Sequence, residues 1–194
     1  MAGRVLLAAV ISAVLMMGWG FLYWGVFNAP SKFLDPVPLP IETSSEIKAM
    51  LPKSGMYVYP FPPKMSDAQG QVIFKTKHEN GPLMRISYQL EGGPAMPATT
   101  MVKGFALDFF VALLAACLTA MASSSLPQCD KRFTFVLLLS LMATVWVNVG
   151  DVIWWFSTPG YCLGNIAYGM GAGLLMAIVI AALVSRPVAE PAVE

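Results

Sequence analysis

The chain reads as an all-α membrane protein: a four-transmembrane-helix bundle with a small β-containing extracytoplasmic module inserted between helices 1 and 2. Three observations predict this. Four apolar runs, residues 5–27, 105–122, 133–156 and 163–184, each have about the 18 to 25 residues needed to cross a bilayer. Charged residues make up only 12% of the 194, against 57% hydrophobic, whereas soluble domains carry about 25% charge. One long polar insertion, residues 28–103, takes up most of the rest. The chain therefore divides into residues 1–27 (amino terminus and first span), 28–103 (module), 104–186 (spans two to four) and 187–194 (tail).

The first run is longer than the roughly 7 to 15 apolar residues of a signal peptide, so it is expected to stay as a span. Outside the module, the basic residues Arg4, Lys131, Arg132 and Arg186 fall on one side, and the opposite short loop, 157–162, carries no charge. The positive-inside rule then places both termini in the cytoplasm, in a multi-pass protein of the cell membrane, expected to be the bacterial cytoplasmic membrane. Lysines of the module do not disturb this, because long translocated segments escape the rule. Trp19, Phe21, Tyr23, Trp24 and Phe27 on span one, and Trp154, Trp155 and Phe156 on span three, read as aromatic belts at the outer interface.

The module opens with a stiff Pro-rich strap, Pro30, Pro36, Pro38 and Pro40. Thr43 and Glu46 then have the capping-box spacing for a short helix that ends at Pro52. Three β-rich stretches follow: 56–59, 72–77 and 83–90. In the last, Met84, Ile86, Tyr88 and Leu90 alternate with Arg85, Ser87 and Gln89, which predicts a half-buried antiparallel strand. Asn80-Gly81 predicts a hairpin turn. A sheet of about three strands is expected.

Within the spans, acidic charge is limited to Asp108 and Asp151, joined by the amides Asn148 and Asn165 as an expected intramembrane polar cluster. Asp108 heads a stripe of small residues, Ala112, Ala116 and Ala120; Asn165 heads another, Gly169, Gly173, Ala177 and Ala181. Ser140, Thr144, Asn148 and Asp151 form a polar seam on span three. Small side chains let helices approach closely, so spans two, three and four are expected to meet along these stripes and gather the four polar residues near the outer leaflet. Asp108 suits the start of a helix. Asp151 does not suit a helix end, where the macrodipole disfavours an anion, so it calls for a proton, a cation or water. Lys103 and Arg85 are the leading candidate partners, with Lys75 and Lys77 behind them.

Function is narrowed mainly by exclusion. No nucleophile elbow, zinc-protease helix or phosphate loop is present in the sequence, so no catalytic residues are assigned. Cys117, Cys129 and Cys162 stand in separate settings without a C-x-x-C pair. The methionines of the module are scattered and His78 is the only histidine, so neither a metal site nor a cofactor is expected. A net charge of +1 offers no basic surface for nucleic acid. The expected role is a non-catalytic accessory or assembly subunit whose partners are the bilayer and other membrane subunits or further copies of itself. Alternatives are a small oligomeric proton- or cation-linked transporter or channel using Asp151 and Asp108, or a membrane enzyme with that acid pair.

Overall fold

The computed structural model describes residues 1–37 and 43–184, with only the backbone described at Pro30, Ser31, Thr43 and Ser44. Pro38, Pro40, Arg186 and the tail 187–194 lie outside the described residues, as does the Thr43 side chain of the expected capping box. Helix α1, Ala2–Gly20, continues into a π-helical turn, Phe21–Val26. After the short helix α2, Thr43–Met50, come strand β1, Gly55–Tyr59, helix α3, Ala68–Asn80, and strand β2, Met84–Tyr88. Three long helices follow: α4 (Ala98–Met121), α5 (Cys129–Trp155) and α6 (Pro159–Leu183). Including the π-helical turn of the first, four helices among the described residues are long and apolar enough to cross a membrane.

The ends of these helices follow from local chemistry. Pro97, extended and without an N–H, opens α4. The helix therefore starts seven residues before the apolar run does. Thr158 accepts a bond from the Tyr161 N–H and Pro159 fills the first turn of α6. Phe156 adopts a left-handed conformation, φ 63°, which closes α5 while the Ser157 N–H returns to the Asp151 carbonyl.

In space the long helices run α4, α1, α6, α5. Helix α1 packs on α4 and α6, and α5 packs on α6, whereas α4 touches α5 and α6 only slightly. This corrects the expected meeting of spans two, three and four, since the α4 stripe turns to α1 instead. Ala112, Ala115, Ala116 and Thr119 are buried, as are Ala8, Ala9, Ser12 and Ala13 of α1; Ala120 packs at the rim of this core. Small residues on both sides allow that close approach.

The α5–α6 contact follows the stripe that the spacing predicts. A Cβ built on Gly169 would lie 2.8 Å from Thr144, and one on Gly173 would lie 2.5 Å from Ser140. One turn further, Ala177 is buried, and at Ala181 the backbone carbonyl receives the Arg132 guanidinium. Steps of four residues thus run in opposite directions along the two helices, an antiparallel register sustained from Thr144 to Arg132.

The module departs most from expectation. Its described residues contain two paired strands, β1 and β2, antiparallel with Tyr57 opposite Ile86 and Tyr59 opposite Met84. The expected strand 72–77 is helical, inside α3. Asp67 caps that helix by accepting from the Gly70 N–H at 2.8 Å, and Lys77 lies in its last turn, where the dipole favours a cation. Asn80-Gly81 is accordingly the end of a helix: Gly81, at φ 64°, places its N–H on the Lys77 carbonyl. The faces of β2 follow expectation only in part. Tyr88 and Leu90 are half-buried and Ser87 and Gln89 exposed, but Met84 and Ile86 are exposed whereas Arg85 is half-buried against α5.

Candidate functional site

The sheet delivers Arg85 to the last full turn of α5. Its Nη1 and Nη2 donate to Oδ1 and Oδ2 of Asp151 at 3.0 and 3.2 Å, a parallel two-bond pair that fixes both planes. The guanidinium carbon also lies 5.3 Å from the centre of the Trp155 ring, in cation–π range. Alternation along β2 aims Arg85 at the bundle, and the four-residue spacing in α5 stacks Trp155 above Asp151. Beside this pair, His78 of α3 faces Phe156 with ring centres 6.4 Å apart. Two elements of the module therefore rest on one helix end.

Arg85, of the candidate partners, is the one that reaches an acid in a long helix. Lys75 pairs loosely with Glu79 at 3.9 Å, Lys77 lies over the Tyr59 ring, and Lys103 is exposed. The expected cluster divides in two. Asp108 borders a different feature, a lateral cleft of about 400 Å³ between α4 and α5 whose base is formed by α6 and Met16. Its module-side end holds Asp108, Tyr168 and Thr144; its far end reaches Leu118 and Met176. Asp151 is seven residues beyond Thr144, about 10 Å further along the helix at 1.5 Å per residue.

The start of α4 at Ala98 explains the new position of Asp108. It lies ten residues into a helix of 24, near the middle, and not in the first turn. Asn148 spends its amide on its own helix, donating to the Thr144 carbonyl at 2.8 Å. The α5–α6 register sets it opposite Asn165, which is half-buried. Of the small residues in the expected packing set, Ala112, Ala116, Gly173 and Ala177 are buried, while Gly169 and Ala120 are partly covered.

Two structural roles escaped the reading of the sequence. Arg132, taken only as a marker of orientation, is buried: Nε donates to the Ala181 carbonyl at 3.0 Å, and Nη1 to those of Leu126 and Pro127 at 3.1 and 2.8 Å. It thus covers open carbonyls of the last turn of α6 and of the α4–α5 loop. The available signal was its place opposite the end of the α6 stripe. Similarly, α1 aromatics expected to form an interfacial belt make hydrogen bonds to α6. Trp19 Nε1 donates to the Tyr168 carbonyl at 2.9 Å and Tyr23 Oη to that of Gly164 at 2.7 Å. Phe21 and Phe27 remain exposed.

The three cysteines are free, and among the described residues no three His, Cys, Asp or Glu side chains converge on a possible metal position. No family model matches this chain, and no curated protein or solved structure shows significant similarity to it.

Proposed function

We propose that this is a multi-pass membrane protein acting as a non-catalytic accessory or assembly subunit, whose bundle holds the module at a fixed position outside the cytoplasm. The distribution of basic residues supports placing both termini inside, and we read the membrane as a bacterial cytoplasmic one because the sequence has no evident organelle-targeting signal. The observation that carries the role is the Arg85–Asp151 pair. A single bidentate contact, stacked on Trp155, ties a small sheet to a helix end.

Among the described residues the module has no large core of its own. Two strands are too few for independent stability, and Phe61, Met65, Val72 and Ile73 are all exposed. A module of this kind is suited to docking. The same pair weighs against transport through Asp151, because its carboxylate is already engaged by a cation. The paired-acid enzyme reading needs one pocket shared by both acids, yet the cleft at Asp108 does not include Asp151.

Size analysis after extraction of native membranes in a mild detergent tests the role. The subunit reading expects an assembly larger than the chain, containing other polypeptides in fixed ratio. A solitary monomer under those conditions overturns it.

A further inference from the structure

The cleft beside Asp108 combines an acid with an opening between two helices that barely touch. Its walls are apolar, from Val111, Leu114 and Leu118 on α4 to Leu139 and Met142 on α5. Among the described residues no basic side chain pairs with Asp108. Lys103, on the same helix, is five residues away, which at about 100° per residue turns it roughly 140° from the Asp108 face. We propose that a transmembrane helix of a partner subunit, carrying a lysine or arginine near its middle, lies along this cleft and pairs that cation with Asp108.

Depth selects this occupant. Asp108 is level with Thr144 and Tyr168, which stand eleven residues from the end of α5 and nine from the start of α6. Those distances are about 17 and 14 Å, and half of a hydrocarbon core is about 15 Å. The acid is therefore at mid-membrane. A phospholipid ammonium group, held at the interface, is too far away to meet it. A second copy of this chain does not place a cation at this depth either: of the basic residues in the long helices, Arg4, Lys131 and Arg132 are in end turns, and Lys103 lies about 8 Å to the module side of the Asp108 level. A foreign helix can place a cation there, and an ionised pair in that setting avoids leaving either charge alone in hydrocarbon.

The inference rests on the subunit reading and names the chemistry of the partner. It is tested with the full chain in bilayers, using as probe a synthetic leucine–alanine helix of about 20 residues with one central lysine, and association read by energy transfer. We expect roughly tenfold tighter association than for the same helix with leucine at that position, in line with polar contacts between membrane helices. Asp108→Asn should remove the preference, Asp108→Glu should keep it, and Asp151→Asn should leave it unchanged. Equal association of the lysine and leucine helices, or a preference that survives Asp108→Asn, overturns the proposal. Equal Asp108-dependent binding of dodecylamine also overturns it, assigning the cleft to a lipid-like amine. Failure here while a native assembly persists leaves the subunit role standing; a native monomer removes that role whatever the synthetic helix does.

Discussion

Arg85 and Asp151, 66 residues apart in the chain, meet through two nearly parallel hydrogen bonds of 3.0 and 3.2 Å. Because both side chains keep partial access to solvent, at 23% and 37% of full exposure, the pair is best regarded as a positioning contact of modest strength. Its coupling in a double-mutant cycle is expected to be about 1 kcal/mol. Arg85→Leu and Asp151→Leu should each loosen the module, read as faster proteolysis between β1 and β2, with little change in bundle melting. Equal protease resistance in both variants would show that the module is held by other contacts.

Gly173 has no room for a methyl group, since its Cβ would fall 2.5 Å from the Ser140 Cβ, an atom fixed to its own backbone. Gly173→Ala should force α5 from α6 and destabilise the bundle by about 1 to 3 kcal/mol. Gly150, with nothing near its Cβ position, is the control. There the same change should be neutral or stabilising by about 0.5 to 1 kcal/mol. Thermal unfolding in detergent compares the two, and equal behaviour would contradict the packing described.

Arg132 serves three carbonyls from one planar group. Arg132→Met should lower stability by roughly 2 to 4 kcal/mol by leaving them without that donor. Lysine should rescue only partly, because it lacks the rigid fork. Full rescue in chemical unfolding would mean that charge alone, and not geometry, is required.

Ser12 runs the other way. Its Oγ is buried without a hydrogen-bond partner among the described residues. Ser12→Ala is therefore expected to stabilise the α1–α4 contact by about 1 kcal/mol. A lower melting temperature in that variant would point to a bond that this geometry does not contain.

The long helices were legible because a bilayer-length apolar run needs no tertiary information to be recognised. The small-residue stripe on α6 was legible for a related reason: Gly169, Gly173 and Ala177 specify a close approach whatever the neighbour. Identity of neighbours was less accessible. Ala112 and Ala116 announced a contact, but α1 offered an alanine face of its own, and that competition cannot be decided from spacing alone. Asp108 was placed too near a helix end because hydropathy marks where a helix becomes apolar, not where its hydrogen bonding begins.

In the module, Val72, Ile73 and Phe74 favour strand by propensity, and Asn80-Gly81 serves a hairpin or a helix end equally well. The Asp67 cap and the Lys77–His78 turn carried the contrary signal, and tertiary context followed them. Arg85 was among several cations that could answer Asp151. Only the pairing of β2 with β1 shows which one is aimed at α5.

Helix α6 stands between α1 and α5 and receives both: Trp19 and Tyr23 on one side, Ser140 and Thr144 on the other. Of the four long helices described, it is also the last to leave the ribosome. Until residues 159–183 are synthesised, α5 has no groove to enter, although α1 and α4 already hold their complete contact. A nascent chain halted before Pro159 should therefore give cysteine cross-links between α1 and α4 but none that hold α5, leaving the bundle open until α6 is made.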